Sequence, residues 1–405
     1  MASPEMALPE PERFTAEYFQ DPLAHLARLR ESRPVAPVIM PDAERVWLIT
    51  RYEDVRAALA DARLSADVRK FPSGYWAETD PVSAVLREHM LNLDHPDHTR
   101  LRRLVTKAFN PRRIAELRPR ITAITSALVG SMAGHDEADL IESFAFPLPV
   151  TVICELLGIP VADRGAFGAW SQAILSSAVS PQEFRSARAA MYGYVTELLD
   201  AKRREPSDDL LSALIAARDD ADSTDRLAEG ELIATLFLLL ITGHEITVNL
   251  IGNGMLALLT HADQLARLRE DPALIPAALD ELVRFTGPLS HTTRRFTLEE
   301  MEIGGVTIPA WEWVLCVISS ADRDPARFPD PDRLDLGRDT TGHLGFGHGI
   351  HHCLGMPLAR LEGEIAFGAL LARFPAMSLA VPPGELRWRQ SSLIRGLETL
   401  PVRLR

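Results

Sequence analysis

The segment GFGHGIHHCLG, residues 345–355, holds four glycines, three histidines and a cysteine in eleven positions. A zinc site is a weak interpretation, because His351, His352 and Cys353 are consecutive and their side chains cannot easily converge on one ion. The chain also has no second cysteine pair. A nucleophilic cysteine is weak as well, since no residue stands out as its base or acid. The third candidate is a lone thiolate that serves as an axial metal ligand.

The residues after Cys353, LGMPLARLEGEIAFGALLARF, have apolar side chains at helical spacing. The cysteine is therefore expected near a helix N-terminus, where the helix dipole and free backbone N–H groups stabilise a thiolate. The neighbouring glycines allow the backbone to pass close to a large flat group, and Phe346 and Leu354 could shield the sulfur from water. These properties match a haem iron held by cysteine.

The most apolar run is LIATLFLLLIT, residues 232–242, and it continues through GHEITVNLIGNGMLALL to residue 259. A membrane span needs about 20 predominantly apolar residues, whereas this run is interrupted after eleven by Gly243, His244 and Glu245. The pattern therefore predicts a buried central helix. A glycine and an acid within such a helix are unfavourable and indicate either a kink with a satisfied carboxylate or a functional role.

Five motifs in order across essentially the whole chain resemble the cytochrome P-450 family, in its soluble bacterial form. FGHGIHHCLG resembles the family's cysteine signature, and LLLITGHEITVNLIG is similar to its oxygen-activating helix. ELVR matches the Glu-x-x-Arg motif, giving Glu281 and Arg284, and FPDPDRLDLGR resembles the segment that supplies the third member of that ion-pair triad, Arg333. HPDHTRLRR and HTTRRF match two segments that reach the haem propionates.

The resemblance implies one mainly α domain with small β-sheets over residues 1–405, with haem b between the central helix and the cysteine-loop helix. Strands are expected in ERVWLIT, in EIGGVTIPAWEWVLCVIS and as a pair near the C-terminus. Cys353 becomes the iron ligand. The other cofactor-binding residues are His98, Arg102, Arg295, Phe346 and His351. The catalytic segment is Glu245, Ile246 and Thr247. The expected substrate pocket comprises Leu238, Ile241, Thr242, His291, Thr293, Leu393 and Ile394, with further walls from the loop before His98 and from AWSQAILSSAVS, residues 169–180.

One position departs from the family pattern, in which the acid of the central helix is followed directly by a threonine. Here Glu245 is followed by Ile246, and Thr247 comes one position later. A shift of one residue rotates a helical side chain by about 100°, so Thr247 does not simply replace the usual residue. Three explanations remain: the substrate supplies the hydroxyl, which we favour, a water held by Glu245 or Thr242 does so, or the reaction differs from simple hydroxylation.

The chain of 405 residues has a formal charge of −13, yet residues 99–120 contain eight basic side chains and one acid. This stretch is either a solvated helix face or a dock for an acidic partner or for ligand carboxylates. Nucleic acid is not expected, because the rest of the chain is acidic and no recognition motif is present. The resemblance implies that a ferredoxin binds to this surface and receives its electrons from NAD(P)H through a ferredoxin reductase.

Three widely spaced cysteines argue against a disulfide framework, and the acidic, proline-rich start does not resemble a secretory signal. We therefore expect a cytoplasmic protein that is not bound to membranes. The resemblance implies a monomer that oxidises a largely apolar small molecule of bacterial secondary metabolism with O₂. Two alternatives remain: a haem-thiolate enzyme with peroxide-driven or coupling chemistry, and a catalytically silent partner protein. The retained Cys353 argues against the second.

Overall fold

The computed structural model describes residues 10–72, 81–109, 111–219 and 226–405. Its helices are α1 (Pro22–Ser32), α2 (Tyr52–Ala60), α3 (Pro81–Val85), α4 (Asp97–Ala108), α5 (Pro111–Glu116), α6 (Arg118–Met132), α7 (Pro147–Leu156), α8 (Arg164–Leu175), α9 (Pro181–Arg204), α10 (Leu210–Asp219), α11 (Glu229–Thr260), α12 (Ala262–Glu270), α13 (Ile275–Thr286), α14 (Ile318–Ala321) and α15 (Met356–Arg373).

The strands are short and form sheets at the margin of the helical body. They are β1 (Glu12–Arg13), β2 (Val35–Ile39), β3 (Arg45–Ile49), β4 (Leu64–Ser65), β5 (Glu137–Asp139), β6 (Arg295–Thr297), β7 (Met301–Ile303), β8 (Val306–Ile308), β9 (Trp313–Cys316), β10 (Ser378–Leu379) and β11 (Pro401–Arg403). One sheet has the order β1-β2-β3-β9-β6-β4, a second the order β10-β11-β5, and β7 pairs with β8. The mainly α class with small sheets is confirmed.

The central helix α11 runs unbroken for 32 residues, and Gly243, His244 and Glu245 lie within it. It packs against α7, α13 and α15, so nearly all of its faces are covered. By length and composition α11 could cross a membrane, but 78% of its most apolar window is buried inside the protein. Its apolar character is therefore explained by its position at the centre of the helical body.

A buried ion-pair network fixes α13 to the segment that precedes the cysteine loop. Arg284 donates to both carboxylate oxygens of Glu281, at 2.6 and 2.8 Å, and both side chains are 1% exposed or less. The third member is Arg338, whose Nε lies 3.2 Å from Glu281 Oε1. The prediction of Arg333 is wrong: this residue is exposed, and its carbonyl accepts a hydrogen bond from Arg338. The chain turns between the two arginines, so the later one reaches the buried carboxylate.

Candidate active site

The segment before α15 forms a tight loop that presents the Cys353 sulfur. The Cys353 N–H donates to the Phe346 carbonyl at 2.8 Å, and Gly347 and Gly349 have φ values of 74° and 71°. At Gly349 a Cβ would lie 2.5 Å from the Leu59 carbonyl oxygen, so a side chain is excluded both by conformation and by space. The loop therefore depends on glycines at these positions.

The electrostatic surroundings of Cys353 are suited to a thiolate that binds a cation. Burial raises the pKa of the Cys353 thiol, while the backbone N–H groups of Gly355 and Met356 and the nearby Arg102 guanidinium act in the opposite direction. The two N–H groups belong to the start of α15, as expected for a thiolate at a helix N-terminus. A metal ion at the sulfur would displace the remaining proton, because a coordinating thiol is deprotonated.

A cavity separates the cysteine loop from α11. It holds about 1390 Å³ of empty space, including its opening to solvent. Leu238, Thr242, Ile246 and Thr247 of α11 line one side. The opposite side is lined by the cysteine segment from Gly345 to Ala359, including Phe346, Cys353 and Leu358. The cavity thus lies between the Cys353 sulfur and the apolar side chains of α11.

One end of the cavity carries buried donors without protein acceptors. Among the described residues, neither ring nitrogen of His98 has a hydrogen-bond partner, and the same holds for His351 Nε2 and Arg295 Nε. The His98 and His351 rings lie 4.6 Å apart. Burial, with nearby arginines, lowers the pKa of His98 to about 4 and that of His351 to about 3. Buried polar groups normally have partners, so this cluster fits a ligand that brings carboxylates.

Arg102 also lines the cavity, but it has a second contact. Its Nη2 donates to the His352 carbonyl at 2.6 Å, which ties α4 to the backbone just before the cysteine. A haem brings two propionates and an iron, and the structure offers a cluster of histidine and arginine donors at one end of the cavity and a sulfur on its wall. The residues present therefore fit this cofactor.

Comparisons with known proteins agree with this geometry. The model of the family "Cytochrome P450" matches residues 180–383. Cytochrome P450 107B1 of Saccharopolyspora erythraea is 50% identical over 396 residues, covering 96% of each chain. This chain belongs to the cytochrome P450 family. It is a P450 monooxygenase and its cofactor is haem, which the cavity between α11 and the cysteine loop would hold.

Further relatives of this P450 have names that specify a ligand. The 6-deoxyerythronolide B hydroxylase of Saccharopolyspora erythraea is 46% identical over 387 residues, covering 93% of this chain and 95% of the relative. The solved structure of tirandamycin C-bound P450 monooxygenase TamI has 48% identity and a TM-score of 0.91, and the match covers 98% of this chain and 100% of that chain.

The three residues expected to act in catalysis do not all face the cavity. Ile246 and Thr247 lie in its wall. Glu245 is 1% exposed and points elsewhere: its Oε2 accepts a hydrogen bond from Arg389 Nη1 at 2.9 Å. His244, the residue before it, bonds Ser171 of α8 through Nε2 at 3.1 Å.

A carboxyl that the sequence reasoning missed lies next to Thr247. Glu362 of α15 is 1% exposed, and burial raises its pKa to about 8, with the Thr247 hydroxyl acting in the opposite direction. Neither of its oxygens has a hydrogen bond of good geometry among the described residues. At neutral pH Glu362 is therefore mostly a neutral acid that carries a proton. The sequence did contain a signal for Glu362, which is an acid on a face of α15 whose other residues are apolar.

The expected pocket residues divide into two groups. Leu238, Thr242, Thr293 and Leu393 line the cavity, whereas Ile241, His291 and Ile394 are not among the described residues that line it. His291 instead accepts or donates a hydrogen bond at Nε2 with the Tyr18 hydroxyl at 3.0 Å, and burial lowers its pKa to about 4. His291 thus joins the N-terminal segment to the chain after α13.

The other predicted walls have different outcomes. Met90 and Leu91, in the segment before His98, line the cavity as predicted, while residues 73–80 of that segment lie outside the described residues. Residues 169–180 do not contribute to the described lining. The lining residues that the sequence reasoning missed include Leu59, Phe109, Ile153, Leu239, Leu289 and Thr292. Helical spacing could have found Leu239, because residues 239, 242, 243 and 246 share one helix face.

Proposed function

We propose that this P450 hydroxylates a largely apolar small molecule of bacterial secondary metabolism. The observation that carries the proposal is the wall opposite Cys353, where Leu238, Leu239, Ile246 and Leu393 supply apolar surface. Its hydroxyl groups come from Thr242, Thr247, Thr292 and Thr293. Such a wall favours a ligand that buries carbon surface and places few polar groups. The names of the relatives, which mention 6-deoxyerythronolide B and tirandamycin C, support this class of substrate.

When bound, the haem supplies the centre at which O₂ is activated with two electrons and two protons. The chain's own residues have separate tasks around it. Cys353 holds the group in place, and His98, Arg102, Arg295 and His351 pair with its propionates. Phe346 is buried beside the cysteine segment and excludes water from the sulfur.

Protons must reach the cavity side of α11 from titratable groups close by. Glu245 is the proposed acid, and Thr247 with Glu362 behind it forms a second proton-holding pair at the cavity wall. The Ile246 side chain has no hydrogen-bond donor. The Thr242 hydroxyl donates its proton to the Leu238 carbonyl at 2.8 Å and so does not donate it into the cavity. We propose that a polar group of the substrate completes the hydrogen bonding above the haem. The same feature favours the second candidate function, peroxide-driven oxidation or oxidative coupling, in which ordinary proton delivery matters less.

Electrons are proposed to arrive from a ferredoxin and its NAD(P)H-dependent reductase at the basic stretch of α4–α6. Arg103 and Lys107 line a surface groove together with Gly349 and Ile350 of the cysteine loop, so a partner there would approach the sulfur side of the haem. Arg112 is 90% exposed and pairs with Glu116 at 3.1 Å. Four other cations of the stretch also pair with acids of this chain: Arg100 with Glu231, Arg113 with Asp208, Arg118 with Glu364 and Arg120 with Glu155. We propose that Arg103 and Lys107, which line the groove, and the exposed Arg112 supply the docking charge. A single domain over residues 1–405, a monomeric state and a cytoplasmic location complete the proposal.

The test is a spectral titration of the haem-loaded protein with compounds from the products of neighbouring biosynthetic genes. Binding of the native substrate above the haem is expected to shift the Soret band with saturation at micromolar concentration, and product analysis after ferredoxin-driven turnover should show one added oxygen atom. A tightly bound compound that is turned over only with hydrogen peroxide, or that is joined to a second molecule, would favour the second candidate function.

A further inference from the structure

Three polar side chains form a stripe along one face of the mainly apolar central helix. Glu245, Asn249 and Asn253 are spaced four residues apart, so they lie on one face of α11. All three are buried, at 1 to 2% exposure. Buried polar groups on an apolar helix are unfavourable without partners, and the partners identify what this stripe does.

The stripe faces a C-terminal hairpin, residues 388–397. Its ends are joined by the Arg389 N–H bond to the Gly396 carbonyl at 2.9 Å and by the Trp388–Leu397 bridge. Asn253 Nδ2 donates to the Arg395 carbonyl at 2.7 Å. At Gly396 a Cβ would lie 1.9 Å from Asn249 Oδ1, so the hairpin backbone lies directly against the helix.

Arg389 makes the charged contact of this interface. Its Nη1 donates to Glu245 Oε2 at 2.9 Å, and the Glu245 side chain is 2% exposed. The other oxygen, Oε1, has no hydrogen-bond partner among the described residues and lies 3.8 Å from His244 Nε2. His244 Nδ1 lies 2.9 Å from the Leu240 carbonyl, which can only accept, so the proton of the neutral ring is on Nδ1. Nε2 then accepts from Ser171 and has no proton for Glu245.

The same hairpin forms part of the substrate wall. Leu393 lines the cavity, and its carbonyl accepts from the Ser290 N–H at 2.9 Å. A ligand that presses on Leu393 therefore acts on the backbone that carries Arg389, four residues earlier. Through Arg389, the hairpin therefore connects Glu245 of the central helix to Leu393 in the cavity wall.

We propose that Arg389 is the positioning residue for Glu245. It fixes Oε2, leaves Oε1 as the oxygen that exchanges protons with water, and ties the acid to the hairpin that carries Leu393. The proposal rests on the proposed proton role of Glu245. Removing the guanidinium leaves a buried carboxylate without its charge partner, which is strongly unfavourable, so the carboxylate is expected to take up a proton or to change its rotamer.

The experiment compares R389Q, R389K, E245Q and the double variant R389Q/E245Q, all loaded with haem. R387Q is the matched control, because Arg387 is exposed and lies two residues earlier. The first readout does not involve activity: amide hydrogen exchange of residues 388–397 in the substrate-free protein. R389Q and E245Q should each speed this exchange at least about threefold, whereas R387Q and R389K should leave it within twofold of the wild type.

The second readout is NAD(P)H oxidation driven by a plant ferredoxin and its reductase without substrate. R389Q and E245Q should each slow it about fivefold or more, and the double variant should be no slower than the slower single variant. Slow oxidation in E245Q with normal oxidation in R389Q would overturn the positioning role while the proton role stands. Normal oxidation in E245Q would overturn the proton role of Glu245 and, with it, the role of Arg389 in the reaction. Additive losses in the double variant would also contradict the proposal.

Discussion

Glu362→Gln tests whether a neutral acid lies behind Thr247. Burial raises the pKa of Glu362 from 4.5 to about 8, so the folded protein keeps a proton that the unfolded chain releases above pH 4.5. The stabilisation from this proton is complete below pH 4.5 and is lost as the pH rises through 8. The difference between 4.5 and 8 corresponds to about 5 kcal/mol between the two limits, of which about 3 kcal/mol falls between pH 6 and pH 9.

Glutamine has the same shape as the protonated acid and does not titrate, so the stability of the variant does not fall with pH at this position. With an unfolding entropy of about 2.1 cal/mol/K per residue, 3 kcal/mol corresponds to about 3 °C in a protein of this size. Thermal unfolding of the haem-loaded proteins should show the melting temperature of E362Q rising relative to the wild type by about 3 °C from pH 6 to pH 9. E385Q, at an exposed position, is the control and should show no trend. A pH-independent difference, or one that falls with pH, would refute a raised pKa at Glu362.

Three further predictions concern the surface, the cofactor and the substrate. The double variant R103E/R112E should slow reduction of the haem by ferredoxin in stopped-flow measurements. Added salt should slow reduction of the wild type, because electrostatic steering is screened over about 8 Å at 0.15 M. An equal loss of substrate affinity in the variant would place these cations in the substrate pocket instead. Arg295→Gln should speed haem transfer to a haem-scavenging protein by about 10- to 100-fold, since a hydrogen bond to a charged group contributes about 1.5–3 kcal/mol. An unchanged transfer rate would show that Arg295 does not bind a propionate. Ile246→Thr should change product formed per NAD(P)H little with the native substrate but raise it with analogues that lack the polar group; improved coupling with the native substrate would contradict substrate assistance.

Local patterns were sufficient for much of the fold. The central helix extends the predicted run by three residues at its start and one at its end. The cysteine loop could be predicted because its glycines, cysteine and following helix are adjacent in sequence. Strand β2 was missed: VAPVI is a short apolar run containing a proline, and it becomes a strand through pairing with β3 and β1.

Contacts between segments that are distant along the chain could not be predicted from the sequence. Glu245 and Arg389 are 144 positions apart, and no local pattern indicates that they pair. The choice of Arg338 over Arg333 depends on how one loop turns over Glu281. The position of His291 beside Tyr18 depends on where the N-terminal segment packs, 273 positions away along the chain. Residue types predicted the chemistry of the site, while tertiary packing determined which members face the cavity.

The central claim is that Cys353 holds the haem iron as a thiolate. The most direct test is the absorption spectrum of the reduced protein under carbon monoxide, for the wild type and for Cys353→His. The wild type should show the strongly red-shifted Soret band that thiolate ligation produces, and the variant should retain haem but lose this shift. A variant that keeps the red-shifted band, or a wild type that lacks it when freshly purified and fully reduced, would contradict the assignment.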